Sequence, residues 1–168
     1  ELKVPNLMPD FVSRVALNRG AAVHVDVGGV VRVFRHTLTP YDRDFRQVGG
    51  GMSIASQLRP REGTKVILQG AFGSGLGRYV GGLVPDVVIG ADGQISPVRT
   101  SSWVGGIEQR LRQRVSLAGY YSGVYAFSNY SLDSDGRYVG FGYPGSSSSN
   151  NRKIHEATLR IIETVGVK

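Results

Sequence analysis

Hydrophobic and polar residues alternate along most of this chain, so that each type recurs at every second position. The clearest run covers residues 21–36. Its valines share one face: Val23, Val25, Val27, Val31 and Val33. Polar or small residues occupy the other face: His24, Asp26, Gly28 and Arg32. Because successive side chains of a β-strand point to opposite sides, this period of two predicts a strand with one apolar face.

Six other segments show the same alternation, and almost none of the chain shows the period of a helix. They are residues 9–20, 49–60, 64–75, 101–114, 115–130 and 151–168. In the last segment the alternation is partial, so its end could equally form a short helix. The sequence therefore predicts an all-β fold, an antiparallel meander of about seven strands that are mostly longer than the usual ~5 to 6 residues.

The predicted connections alternate in length. Tight turns are expected at residues 18–20, 59–63 and 112–114, and longer loops at 36–47, 75–101 and 129–151. In an antiparallel meander this order places the short turns at one end of the sheet and the long loops at the other. Outer-membrane β-barrels are built in this way, whereas loops longer than ~12 to 15 residues are uncommon in other compact domains.

The residue types on the two faces also fit a barrel wall between lipid and water. One face carries Val, Leu, Ile, Phe and Tyr, and the other carries Arg, Gln, Ser, His and small residues. Aromatic residues gather near predicted strand ends, as in an interfacial girdle: Phe11, Trp103, Tyr120, Tyr121, Tyr125, Phe127 and Tyr130. From alternation alone, a soluble sandwich with aromatic residues in its core remains an equal alternative.

Composition narrows the possible classes of protein. The chain has no Cys, which excludes disulfides and Cys-based metal sites, and no apolar run approaches the ~20 residues of a spanning helix. Its formal charge of +7 includes 20 Lys and Arg residues, with Arg in the majority. This balance predicts an anionic partner such as nucleic acid, an acidic surface or small carboxylates.

The sequence offers little for catalysis. No serine lies in a G-x-S-x-G motif, and His24, His36 and His155 are too scattered for a metal cluster of known spacing. The segment GSGLGR at residues 73–78 matches a phosphate loop only loosely, because no helix is predicted after it. We therefore expect no enzymatic activity and no cofactor. His24 and Asp26 share a strand face, which favours a hydrogen-bonded network over a catalytic pair.

Three stretches resemble the DcaP-like trimeric outer-membrane porins of Gram-negative bacteria: LMPDFVSRVAL, VHVDVGGVVRVFRH and FSNYSLDSDGRYVGFGYPGSSSSNNRKIHEATL. The resemblance implies a sixteen-stranded barrel in outer-membrane lipid, assembled as a homotrimer. It also implies an Arg-lined constriction that admits small anionic solutes, dicarboxylates among them.

The same resemblance implies that residues 1–168 form a single segment of a barrel domain that is incomplete at both ends. The first half of such a barrel would lie upstream. The final LRIIETVGVK departs from the family, which continues through further strands. An odd number of strands also departs from the even numbers of bacterial single-chain barrels.

Arginine is the residue type expected to contact solutes, because its planar guanidinium binds a carboxylate through two parallel hydrogen bonds. Arg14 and Arg32 lie in mid-strand on the polar face and are the first candidates for the lumen, with His24 and Asp26 beside them. Arg110 and Arg112 are further candidates. These two also belong to a group that flanks the tight turns, for which an interfacial rim is the alternative role: Arg59, Arg61, Lys65, Arg110, Arg112 and Arg114.

Together these features predict a porin for diffusion of small anionic solutes across the outer membrane. The alternative is a soluble β-sandwich that binds carbohydrate or nucleic acid. Single-strand binders interleave aromatic and basic residues on one face. Here Tyr121, Tyr125 and Phe127 share the apolar face, away from most arginines, so we expect no nucleic-acid partner.

Overall fold

The fold is dominated by one antiparallel sheet of seven strands. The computed structural model describes residues 7–38, 43–82, 84–150 and 152–163. In chain order the sheet contains β1 (Phe11–Arg19), β2 (Val23–Leu38), β3 (Arg43–Arg61), β4 (Thr64–Ser74), β7 (Arg99–Arg112), β8 (Val115–Ala126) and β11 (Lys153–Glu163). Each strand pairs with the one before it in this order, which makes the sheet a meander.

Two small hairpins lie in the long connections of the meander. The connection after β4 contains a 3₁₀ helix (Gly77–Val80) and the hairpin of β5 (Val87–Ile89) with β6 (Ile95–Pro97). The connection after β8 contains the hairpin of β9 (Asn129–Leu132) with β10 (Tyr138–Phe141), followed by the short helix α1 (Ser147–Asn150). The sequence pattern did not reveal these hairpins, because three or four residues are too few to show a period.

The predicted all-β class and antiparallel meander are confirmed, and all seven predicted strands are present. The main difference is β3, which begins at Arg43 and not near residue 49. Its polar start pairs with the end of β2 across the predicted loop 36–47, and Arg35 Nη2 lies 2.6 Å from Asp44 Oδ2. Residues 39–42 of that loop lie outside the described residues. The last segment is a strand to Glu163, and residues 164–168 also lie outside.

The tight turns lie together at one end of the sheet, as predicted. They join β1 to β2, β3 to β4 and β7 to β8, whereas the long connections after β4 and β8 leave from the opposite end. Gly20 and Gly63 have φ values of +57° and +79° in the first two turns. Other residues adopt this left-handed conformation at a steric cost, so glycine fits these positions.

Strand register separates the side chains into an apolar face and a polar face, because residues paired directly across antiparallel strands share a face. The apolar face contains Val15, Val27, Ile54 and Leu68, and the polar face contains Arg14, Asp26 and Ser53. On the apolar face, Met52 is 68% exposed and Leu159 is 74% exposed. The described chain therefore leaves a broad hydrophobic surface uncovered.

The small buried core lies at the long-loop end, on the polar face. Val80, Val84 and Val98 from the connection after β4 pack with Ala126 of β8 and Phe141 of β10. In addition, β6 contacts β2 and β3, and β5 contacts β10. The two long connections therefore pack over the same end of the polar face.

Close backbone approach at Gly73 gives a test of this packing. A Cβ atom at Gly73 would lie 2.3 Å from the Gly50 carbonyl oxygen, whereas a Cβ at Gly119 would meet nothing within 4 Å. We expect Gly73→Ala to lower the free energy of unfolding by about 1 to 3 kcal/mol, the usual cost of overpacking. Gly119→Ala should leave the urea midpoint unchanged or raise it slightly. Equal midpoints for the two variants would contradict the packing described here.

Candidate functional site

The polar face of the sheet gathers most of the polar side chains that the sequence singles out. Strand register, and not closeness in sequence, brings them together. They form three groups, which are centred on Asp26, on Glu108 and on Arg32.

The Asp26 group joins β1 to β2. Arg14 lies on β1 and its Nε is 2.7 Å from each oxygen of the Asp26 carboxylate, while Arg14 Nη2 also donates to Oδ2. His24 Nε2 lies 3.6 Å from Asp26 Oδ2, and its Nδ1 is 2.6 Å from Asn18 Oδ1. Arg14, His24 and Asp26 therefore form one network. The Arg14 side chain is still 68% exposed, so a solute could reach its guanidinium.

The Glu108 group joins β4, β7 and β8. Lys65 Nζ lies 3.3 Å from Glu108 Oε1, and the Tyr120 hydroxyl donates to the same oxygen. Tyr120 therefore lies on the polar face, because it pairs with Gly106 next to Glu108 in the register of β7 and β8. Its predicted place in an apolar aromatic girdle is wrong, since two neighbouring tyrosines in a strand point to opposite faces.

The third group is built around Arg32, whose side chain is completely buried. Arg32 Nη1 lies 2.7 Å from Asp86 Oδ1, Nη2 donates to Asp86 Oδ2 at 2.9 Å, and Nε lies 3.1 Å from Asp10 Oδ2. Nη1 also donates to the Gly75 carbonyl oxygen. Two carboxylates and one carbonyl thus surround this guanidinium, with Nη1 and Nη2 donating hydrogen bonds and Nε held by the charge of Asp10.

Aromatic rings and a second arginine complete this Arg32 cluster. The Arg32 guanidinium carbon lies 4.7 Å from the centre of the Phe34 ring and 5.6 Å from that of Tyr79, in cation–π geometry. Arg78 Nη1 is 3.6 Å from Asp10 Oδ2, and Arg78 Nε is 3.5 Å from Asp86 Oδ2. With two arginines and two aspartates, the formal charges of the cluster sum to zero.

Ionisation of the groups contributed by the connection after β4 reflects this pairing. Burial works to raise the pKa of Asp86, but hydrogen bonds from Arg32 and from the Arg78 backbone N–H outweigh it and hold the pKa below its usual value. The Tyr79 hydroxyl donates to Asp10 Oδ2 at 2.7 Å, and this hydrogen bond raises the pKa of the phenol. Asp86 is therefore ionised at neutral pH.

The six site residues predicted from the sequence do not form one site. Arg14, His24 and Asp26 lie together, but Arg32 belongs to the separate cluster and has no exposed surface on which a solute could bind. Arg110 and Arg112 lie exposed next to the β7–β8 turn, and Arg110 Nη2 is 3.9 Å from Glu62 Oε1. Their position matches the rim that the sequence offered as the alternative for this group.

The sequence did not identify Asp10, Asp86, Phe34 or Tyr79 as parts of a site. Asp86 lies 54 positions from Arg32, in a loop with no recognisable motif. The mid-strand position of Arg32 was the one feature of the sequence that could have indicated an acidic partner. A charged side chain that a long loop covers requires a partner of opposite charge.

The lowered pKa of Asp86 gives a pH test. Its ionised form is stabilised by folding, so its contribution is complete above the ordinary carboxyl pKa of about 3.9 and is lost as the pH falls through the lower native value. We expect the urea concentration at the unfolding midpoint to decrease when the pH is lowered below about 4. Asp86→Asn should cost about 1.5 to 3 kcal/mol at neutral pH, as for a hydrogen bond to a charged group. The urea midpoint of this variant should also decrease less on acidification than that of the parent protein.

The control for this test is Asp135→Asn, at an exposed position in the turn between β9 and β10. This variant should keep both the neutral midpoint and the acid decline of the parent chain. If Asp86→Asn retained the full acid decline, the pH dependence would have to come from other carboxylates.

Comparison of the chain with protein-family models, with curated proteins and with solved structures found no match in any of the three. Within the described ranges, no helix is both long enough and apolar enough to cross a membrane. Any function must therefore be inferred from the geometry of the sheet and its side chains.

Proposed function

We propose that this chain is part of the wall of an outer-membrane β-barrel that lets small anionic solutes, dicarboxylates among them, diffuse through its lumen. In this proposal the apolar face contacts lipid and the polar face lines the lumen. The observation that carries it is the broad and uncovered apolar face. Among the described residues, Asp, Glu, Lys and Arg lie on that face only near the strand ends.

The height of the apolar face suits a bilayer. On β2 it runs from Val23 to Val33, or about 33 Å along the strand at ~3.3 Å per residue. A strand tilt of ~40° reduces this length to about 25 Å along the membrane normal, the height of the apolar band in outer-membrane barrels. On the same face, Arg19 pairs with Val23 at one end of this run and Arg35 follows Val33 at the other, so headgroups would meet both.

A soluble β-sandwich is less consistent with this surface. Such a fold buries the apolar faces of two sheets against each other, but the described chain covers one end of its polar face and leaves the apolar face open. Leu68, at 52% exposed, lies on that open face in β4, the central strand of the sheet. Exposed apolar patches of this kind mark contact with lipid or with another protein.

The outer strands support a larger barrel. Within the described residues β1 pairs only with β2, and β11 pairs only with β8, so each has one free edge. In lipid an unpaired backbone N–H or C=O group costs several kcal/mol, which is why membrane barrels are closed. The proposed barrel therefore needs further strands, and the resemblance noted above suggests sixteen in each subunit of a homotrimer.

Anion preference follows from the distribution of positive charge. Arg14 presents an accessible guanidinium on the polar face, and rings of such groups underlie anion-selective pores. Arginines also surround the short turns: Arg19, Arg59, Arg61, Arg110, Arg112 and Arg114. The whole chain has a net charge of +7, and the arginines at this end of the sheet would raise the local concentration of anions at one mouth of the pore.

Two neighbouring residues of β3 provide a direct test of the lipid-facing surface. Met52 is on the apolar face and Ser53 is on the polar face. In the full-length protein that contains this segment, Met52→Arg should cost about 2 to 4 kcal/mol of membrane folding if it lies near the bilayer centre, and Ser53→Arg should fold almost normally. The measurement is heat-modifiable migration after folding into lipid vesicles. If both variants fold equally well, the apolar face does not contact lipid.

Arg14 provides a test of the solute class. Arg14→Gln removes one positive charge and takes the guanidinium away from Asp26, so the ratio of anion to cation permeability in planar bilayers should fall. Arg61→Gln is the control, because Arg61 hydrogen-bonds to Thr64 at the short-turn end and its charge interacts through a high dielectric. A ratio that changed in Arg61→Gln but not in Arg14→Gln would reverse the assignment of lumen and rim.

A further inference from the structure

The connection after β4 packs closely against the polar face because the sheet has glycine residues, which lack side chains, at the point of contact. Gly51 of β3 and Gly73 of β4 are directly paired. A Cβ atom at Gly51 would lie 2.5 Å from Leu76 Cδ1, and one at Gly73 would lie 2.6 Å from the same atom. Leu76 is almost fully buried in this glycine-lined depression. The segment is therefore seated in the sheet, and in a barrel it would occupy part of the lumen.

The segment is also closed on itself at its base. The Gly75 N–H donates to the Val98 carbonyl at 2.9 Å, and the Val98 N–H donates to the Asp86 carbonyl at 3.0 Å. Residues 75–82 and 84–98 thus leave and rejoin the sheet at one place. Arg32 donates hydrogen bonds to two residues of this base, to the Gly75 carbonyl oxygen and to the Asp86 carboxylate.

Arg32 is poorly suited to attract a passing anion. Its side chain has no exposed surface, and Asp10, Asp86 and Gly75 surround its guanidinium. The pairing of Arg32 and Arg78 with two aspartates leaves no net charge at the cluster. Removing one partner would leave a buried charge unpaired, and this would favour release of the segment from the sheet.

We propose that Arg32 is a positioning residue that clamps the connection after β4 onto the polar face and so sets the width of the pore, not its ion selectivity. This inference rests on the proposed function for its consequence, but the clamp itself is a feature of the chain. Arg32 acts through the segment that it holds, since no solute contacts it.

The test uses three variants of the full-length protein: Arg32→Lys, Arg32→Met and Asp86→Asn. Lysine keeps the positive charge of Arg32 but lacks the planar fork that binds Asp86 through two atoms. In planar bilayers, all three variants should show a larger single-channel conductance than the parent. Arg32→Lys, which leaves the charge of the cluster unchanged, should also keep the parent's ratio of anion to cation permeability. Asp86→Asn and Arg32→Lys keep the test valid if Arg32→Met fails to fold.

Limited trypsin digestion measures the clamp independently of channel activity. Arg78 lies within the clamped segment and Arg137 lies in the exposed turn between β9 and β10. The rate of cleavage after Arg78, normalised to cleavage after Arg137, should rise in Asp86→Asn and Arg32→Lys. Since Arg78 itself contacts Asp86, Arg32→Lys is the more informative of the two variants.

The outcomes separate this inference from the proposed function. An unchanged cleavage ratio in Arg32→Lys would overturn the clamp, whether or not the parent protein conducts. Faster cleavage with unchanged conductance would show that the segment does not set the pore width. A shifted permeability ratio in Arg32→Lys would assign Arg32 to selectivity instead. A parent protein that forms no channels would overturn the proposed function and leave the digestion to decide the clamp.

Discussion

The register of β2 between β1 and β3 is the constraint on which the rest of the structure depends. Because side chains alternate with a period of two, a slip by one residue would move every side chain of β2 to the other face. Asp26 would leave Arg14, and Arg32 would point away from Asp86. The valines of β2 would meanwhile replace these charges on the polar face. One pairing therefore fixes the apolar surface, the Asp26 network and the Arg32 cluster together.

The buried Arg32 guanidinium shows how such a register is reinforced. A charge removed from water is tolerated only with partners in good geometry, and here the partners come from two separate parts of the chain, around Asp10 and Asp86. The sheet contributes space through glycines as well as charge through Arg32. A Cβ at Gly49 would lie 2.8 Å from Phe34 Cε2, the ring that supports the guanidinium. Electrostatics and backbone shape thus specify the same arrangement.

Alternation in the sequence was sufficient to predict the strands, because a long strand with one apolar face repeats its pattern many times. It failed at the start of β3, where Arg43 and Asp44 look like loop residues. Cross-strand contacts from Arg35 and Thr37 to Asp44 hold that region in the sheet. Arg14 and Asp26 were both predicted to lie on the polar face, but their contact was not predicted, because it depends on the register of β1 with β2. The burial of Arg32 was not predicted either, since no local pattern indicates which loop will return over a strand.

The two kinds of arginine in the chain differ in how strongly dissolved salt acts on them. Exposed charges at the short turns are screened over a Debye length of about 8 Å at physiological ionic strength, whereas paired and buried charges are screened much less. If the proposed function holds, saline surroundings would weaken the attraction of the rim for anions but leave the Arg32 cluster intact. The width of the pore would then stay constant, while its preference for anions would change with the salinity of the habitat.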